Sequence, residues 1–494
     1  MIHNASYAGF LHITAFCLII APFCSMMISV KHRKGRADMT ILLLTVLIVT
    51  EIAFLITEIS RLSEKREWNK KRLLADVIEL AAFCLMLLLP DIDLTFRFKA
   101  LFFILLIRLA FAGFGYLASR KSEKQKTKAG KITSLIMGIM MFAFALTPAF
   151  LFKNYKGRPL TGQYTPMTCT AILTDNSRSE EFEQDGSKRE IPVHLFYPAE
   201  TENIADHSLP LVIFSHGAFG WYQSNLSAYQ ELASNGYVVA SIEHPYHSLF
   251  THDTSGKLIT VDGQFMQNAL TLGNSDAEET EREEVFQTEC EWIELRIADM
   301  NFALDSLKSA ASANDFSDWT FTEDDQKQFE TAARLIDTEK IGLMGHSLGG
   351  ATAVTVGRRD DISAVIDIDG TMIGEQTDFA DGKYVINEEP YTTPLLEFEN
   401  EQAHFDAVEA EKTGYIYANN VVQKNAENVY RTYFVGAGHM NFTDLPLISP
   451  FLAEKLGTGE IEPEQCTDTL NKLILDFYNC YLKGQGEFSA QEHY

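Results

Sequence analysis

Apolar positions along the chain fall into two regimes. Over the first 152 residues they form five long stretches, Ala8–Val30, Met39–Ile59, Leu73–Pro90, Ala100–Leu117 and Ile132–Phe152. Each suits a helix crossing a hydrocarbon core about 30 Å thick, at about 1.5 Å of rise per residue. Short basic separators divide them, such as Lys31-His32-Arg33-Lys34-Gly35-Arg36 and the run from Arg120 to Lys131. The pattern predicts an all-α, multi-pass transmembrane domain over residues 1–155. Beyond residue 165 short apolar runs alternate with helix-period segments, which predicts an α/β domain over 165–485 with a mostly parallel sheet flanked by helices. Strands are expected at Ile191–Tyr197, Leu211–Ser215, Tyr237–Ile242, Ile341–Met344, Ala364–Ile368, Leu395–Phe398 and Thr432–Val435. Ile293, Ile297, Met300, Leu304 and Leu307 recur at four-three-four-three spacing and mark one apolar helix face. A last helix is expected at Cys466–Leu482. Acidic stretches near 253–290 and 312–328, and the stretch 400–428, read as lids or surface loops.

Charge separates the same two parts. The 494 residues carry a formal charge of −26, yet residues 1–158 hold 22 Lys and Arg against 10 Asp and Glu, and the remainder holds 19 against 57. So acidic a second part repels phosphate backbones and excludes nucleic acid as a partner. With the amino terminus inside, the inner loops 61–72 and 119–131 carry 12 basic residues against nine on the outer segments. That excess favours a multi-pass cell-membrane protein whose second domain is extracytoplasmic. The first stretch lacks a preceding positive charge and a following small-residue cleavage pattern, so it reads as a span and not a signal peptide. Arg108, within the fourth stretch, is expected to pair with Asp76, Glu79 or Glu51, because a lone charge in hydrocarbon is costly. About 13 residues separate the last stretch from the first strand region, a reach of at most ~45 Å. Seven scattered cysteines form no Cys-x-x-Cys pattern, and His244 and His247 lack a third ligand, so neither a metal nor another cofactor is expected.

The chemistry is concentrated at Gly345-His346-Ser347-Leu348-Gly349, between a short apolar run and a helix-like stretch. A serine flanked by glycines at a sharp strand-to-helix turn presents its hydroxyl as the nucleophile of the α/β-hydrolase fold. A neutral serine needs a base and an acid that orients the base, in the chain order Ser, Asp or Glu, His. Ser347 is the expected nucleophile. Asp369, just past a buried strand, is the expected acid, ahead of Asp367 deeper in the same strand. His439, just past the final strand, is the expected base, ahead of His404. The backbone N–H groups of Leu348 and Ala218 are the expected oxyanion donors, with Gly217 and Gly220 letting the loop after Ser215 approach. His216, Gly217, His244 and His346 are candidate lining residues of a substrate pocket.

At these residues the chain resembles the plasma-type platelet-activating-factor acetylhydrolase family, also called lipoprotein-associated phospholipase. The resemblance covers roughly 190–485. It rests on Phe214-Ser215-His216-Gly217, Glu243-His244, Ile336-Asp337-Thr338-Glu339-Lys340-Ile341, the run Gly345 to Thr352, Asp369-Gly370-Thr371-Met372 and His439-Met440-Asn441-Phe442-Thr443-Asp444. It implies calcium-independent hydrolysis of a short or oxidised acyl ester at the second glycerol carbon of a phospholipid. It places nucleophile, acid and base at Ser347, Asp369 and His439, with oxyanion donors at Ala218 and Leu348. Thr371 stands where the family often has tryptophan, and the loop after Gly217 differs, so acyl and headgroup preference do not carry over. The expected function is a membrane-anchored serine ester hydrolase acting on lipid. A short-chain carboxylesterase for soluble esters and a non-catalytic ligand-binding sensor or transporter are the alternatives.

Overall fold

The amino-terminal unit of the computed structural model is built from four helices, α1 (Ala37–Ile59), α2 (Lys65–Met86), α3 (Phe96–Ala118) and α4 (Lys128–Leu151). The structure describes residues 37–60, 64–89, 92–119, 125–272, 279–322, 325–413 and 416–494. The expected span Ala8–Val30 lies outside the described residues. α1 packs on α2 and α4, and α3 packs on the same two helices, around Leu43, Leu47, Phe83, Phe98, Leu101, Phe142 and Leu146. Among the described residues three helices are long and apolar enough to cross a membrane, Met39–Ile59, Phe96–Ala118 and Lys128–Leu151.

The expected span Leu73–Pro90 falls on α2. Its helix starts at Lys65 and carries Lys70, Lys71, Arg72, Asp76 and Glu79, so it is too polar to count with the other three. Asp76 and Glu79 are buried and meet Arg108 of α3 at 3.0 and 3.1 Å. Glu51 of α1 also pairs with Arg108 and receives Arg72 at 2.6 Å, while the Phe142 ring of α4 covers the Arg108 guanidinium at 4.5 Å. All four helices therefore share one buried ionic cluster.

The second compact unit begins at Lys156. Nine strands form its sheet: β1 (Pro166–Ser179), β2 (Lys188–Pro198), β3 (Leu209–Ser215), β4 (Val238–Ile242), β5 (Trp319–Phe321), β6 (Ile336–His346), β7 (Ala364–Ile368), β8 (Leu395–Asn400) and β9 (Val429–Phe434). Their order is β9-β8-β7-β6-β3-β4-β2-β1-β5. The six strands from β9 to β4 are parallel. The next three alternate in direction as β2 pairs with β4, β1 with β2 and β5 with β1. Helices α5 (Leu226–Ser234) and α9 (Pro463–Lys483) contribute to the core on one face. α6 (Glu279–Ala313), α7 (Gln326–Leu335) and α8 (Leu348–Val356) contribute to the other. This is the α/β-hydrolase fold.

The central strands are continuous apolar runs because both sheet faces are covered. Successive residues of β3 serve opposite cores: Leu211 and Ile213 join one, Val212 and Phe214 the other. Where the expected lids were placed, the chain is largely helical. Residues 250–272 form a small hairpin and a helix at Gly263–Leu272, α6 reaches back to Glu279, and 401–425 holds two further helices. β1 and β5 were not anticipated.

Replacing Arg108 with leucine takes away the Glu79 cation and leaves Glu51 and Asp76 to Arg72 alone. The bundle is expected to lose about 3–5 kcal/mol, read as a fall in the melting midpoint of the detergent-solubilised chain, with Arg108→Lys falling less.

Candidate active site

β6 delivers the chain to Ser347 and α8 carries it away. Ser347 has φ 56° and ψ −125°, a conformation that costs a residue with a Cβ about 1–3 kcal/mol. It is held there because the Ser347 N–H donates to the Ile368 carbonyl at 2.8 Å, while its own carbonyl accepts from Gly350 and Ala351 at 2.9 and 3.1 Å. A side chain at Gly349 would collide with the Ser215 carbonyl at the end of β3. Ser347 remains half-buried, and among the described residues its hydroxyl makes no hydrogen bond.

Asp369 follows β7 with φ 59°. Its carboxylate accepts from His439 Nδ1 at 2.6 Å, and from the Asn400 N–H at 2.7 Å and side-chain amide at 2.8 and 3.0 Å. Burial alone would raise the Asp369 pKa, but the hydrogen bonds from His439 and Asn400 outweigh it and hold the carboxyl below its ordinary value. An ionised carboxylate only accepts, so the His439 proton resides on Nδ1, and Nε2 of the neutral ring is left as the base. His346, next to Ser347, packs its ring 4.5 Å from that of His439, and its Nε2–H donates to the His439 carbonyl at 3.2 Å. His439 thus lies against the residue that precedes Ser347.

The rival residues lie elsewhere. His404 Nδ1 contacts Glu399 at 2.8 Å, and Asp367 accepts the Gly370 N–H at 3.0 Å. Burial, with Glu397 and Asp369 close by, pushes the Asp367 pKa well above the usual carboxylate range.

After β3 the chain turns through His216-Gly217-Ala218. A Cβ on Gly217 would lie 3.2 Å from Ser347 Cβ and 2.9 Å from His346 Nδ1, so the loop touches Ser347. Among the described residues the backbone N–H groups of Ala218 and Leu348 donate to no protein acceptor; Leu348 also opens α8, at the positive end of that helix dipole. Beside them Leu348 packs with Phe265, Ile293, Ala351 and Ile373, against partly buried Ala218, Phe219 and Trp292.

The expected pocket-lining residues lie in the interior beside Ser347. His216 and His244 are fully buried, His346 nearly so, and Gly217 is buried as well. His244 lies between Asp299 and the Ser215 hydroxyl, 2.9 Å from each, and burial, with the nearby Arg296 charge, pushes its pKa down to about 4. His346 is pushed down to about 3 by burial and by His439. These are neutral, hydrogen-bonded interior groups. Sequence reasoning also passed over Asn400, Arg296 and Asp299. The available signal was an arginine three residues after Ile293 and four before Met300, on the apolar face of α6 where a charge needs a reason.

Asp369→Asn is expected to lower kcat by about 10^4-fold through the wrong histidine tautomer. Asp367→Asn, whose amide oxygen can still accept the Gly370 N–H, should retain near wild-type kcat in the same ester assay.

Comparison with known proteins places this geometry in context. The family described as "Platelet-activating factor acetylhydrolase, isoform II" matches residues 184–493. The platelet-activating factor acetylhydrolase of Cavia porcellus is 28% identical over 281 residues, covering 55% of this chain and 57% of the relative. That of Gallus gallus is 25% identical over 304 residues, covering 56% and 63%. The chain thus spans somewhat over half the length of these relatives. A ferulic acid esterase from Streptomyces cinnamoneus superposes with a TM-score of 0.47 at 20% identity, covering 67% of this chain and 93% of its own.

Proposed function

The chain belongs to the platelet-activating factor acetylhydrolase isoform II family, and from that premise we propose that it is a membrane-anchored serine ester hydrolase cleaving short or oxidised acyl esters of phospholipids. The observation that carries the reading is the 2.6 Å bond between His439 and Asp369 beside a serine held in an elbow.

In the proposed reaction His439 Nε2 takes the Ser347 proton as Oγ attacks the ester carbonyl. Before attack the serine and histidine side chains close to hydrogen-bonding distance, a contact that free enzymes commonly leave loose. The tetrahedral oxygen accepts from the Ala218 and Leu348 N–H groups. Collapse breaks the ester C–O bond, and His439 returns the proton to the departing alcohol. Water, deprotonated by His439, then attacks the acyl-serine, and carboxylic acid leaves as Ser347 regains its proton. Asp369 keeps the ring oriented and stabilises the imidazolium.

Two features favour a lipid over a soluble ester. The names of the curated relatives specify a lipid ester, and the insert next to the site exposes Leu249, Phe250, Leu258 and Met266. That insert is tied to the oxyanion loop, since Phe219 N–H donates to His247 O and Leu249 N–H to Gly220 O, both at 2.8 Å. The three apolar helices support membrane anchoring, and the basic-loop bias supports an extracytoplasmic catalytic unit.

A fluorophosphonate should label the full-length protein, and Ser347→Ala should abolish labelling and lower kcat by roughly 10^6-fold. Short-acyl phosphatidylcholine in vesicles should be turned over in preference to p-nitrophenyl acetate; the reverse order would favour the carboxylesterase. Added protease should reach the catalytic unit in intact cells.

A further inference from the structure

Arg296 is a fully buried arginine that touches neither Ser347, Asp369 nor His439. Its guanidinium donates to the carbonyls of His216 and of Gly217, the latter at 3.3 Å. The third donor, Nε–H, points to His247 Nδ1 at 3.3 Å. Burial pulls the Arg296 pKa down to about 9, against the attraction of Asp299, which leaves it a cation at neutral pH. The Gly217 carbonyl receives a second donor, His216 Nδ1–H at 2.7 Å. A carbonyl only accepts, so His216 carries its proton on Nδ1. Its Nε2 lies 2.8 Å from the Ser248 hydroxyl oxygen.

The Gly217 carbonyl and the Ala218 N–H belong to one planar trans peptide, so they point in opposite directions. Fixing the carbonyl fixes the amide. A charge-assisted bond to the oxygen also polarises the peptide and strengthens its N–H as a donor. We propose that Arg296, with His216, is a positioning residue for the oxyanion hole, gripping the Gly217 carbonyl so that the Ala218 N–H is aimed at the reacting carbonyl on Ser347. This rests on the serine-hydrolase reading above.

The base of the loop is tied by the same helix. Asp299, three residues beyond Arg296 and on the same side of α6, accepts from Arg189 at 2.7 and 3.1 Å, Arg178 at 2.8 Å and His244 Nδ1 at 2.9 Å. His244 in turn accepts the Ser215 hydroxyl at 2.9 Å, one residue before His216. Despite its resemblance to a catalytic triad, the Ser215-His244-Asp299 set is sealed from solvent and serves as an anchor. One helix thus pins the start of the oxyanion loop twice, by Asp299 through His244 and by Arg296 directly.

The test compares full-length wild type, Arg296→Met and Arg296→Lys, with kcat referred to sites labelled to completion by a fluorophosphonate so that misfolded protein does not count. Arg296→Met should lower kcat for p-nitrophenyl acetate about 10- to 100-fold, somewhat less than the loss of a whole oxyanion donor. KM should stay within about twofold, and inhibition by an alkylboronic acid, which forms a tetrahedral adduct, should weaken by the same factor as kcat. Arg296→Lys, a point donor in place of a fork, should fall between the two. An unchanged kcat per labelled site, or a loss confined to KM, overturns the clamp. Should the methionine variant fail to accumulate, the lysine variant decides alone, since wild-type kcat per site in it overturns the proposal. Labelling that persists in Ser347→Ala overturns the underlying active-site reading, and the clamp with it; labelling lost there alongside unaffected Arg296 variants overturns the clamp only.

Discussion

Backbone contact between the end of β3 and the turn joining β6 to α8 governs the site. A side chain at Gly349 would strike the Ser215 carbonyl, and a side chain at Gly217 would crowd Ser347 itself. With both positions reduced to hydrogen, two neighbouring parallel strands end close enough for their loops to share one reaction centre. The strained Ser347 backbone, the free Leu348 amide at the start of α8 and the Ala218 amide on the facing loop all follow from that approach. Asp369 and His439 are then supplied by strands on one side, and the loop carrying Ala218 by β3 on the other. Ligand sites in parallel sheets gather at these carboxyl ends because successive loops converge there.

The second recurring device is the buried charge satisfied from several directions. In the helical bundle Arg108 gathers Glu51, Asp76 and Glu79 from two helices. In the hydrolase unit Asp299 gathers Arg178, Arg189 and His244. Burial penalises each ion, and several charged partners compensate. Such clusters fix relative positions more stringently than apolar packing does, because a displaced partner leaves an uncompensated ion. The bundle cluster joins helices, whereas the Asp299 cluster joins a helix to the loop that faces the nucleophile.

Much of this was legible along the chain. Gly345 to Gly349 between an apolar run and a helix revealed the elbow, and the carboxyl ends of two further strands led to Asp369 and His439. The central strands were recognisable as unbroken apolar runs. β1 escaped because its pattern is an alternation, with Cys169, Ala171 and Leu173 inward and Thr170 and Ile172 between, which reads weakly beside the central strands. The length of α6 was hidden by the acidic residues before Ile293, which were taken as a loop. The charge in α2 was visible, yet its apolar second half drew the boundary to Leu73, eight residues past the start of the helix at Lys65. Roles that depend on partners far apart in sequence, such as Asn400 on Asp369 or Arg296 on Gly217, leave no local pattern. The lone trace of the latter is an arginine on an apolar face.

The most direct measurement of the central claim is an experimental structure of the chain after reaction with a fluorophosphonate. The account predicts phosphorus bonded to Ser347 Oγ, its non-bridging oxygen about 3 Å from the amides of Ala218 and Leu348, and His439 still bonded to Asp369 with Nε2 turned toward the adduct. Phosphorus on another residue, or an oxygen turned away from both amides, would contradict it.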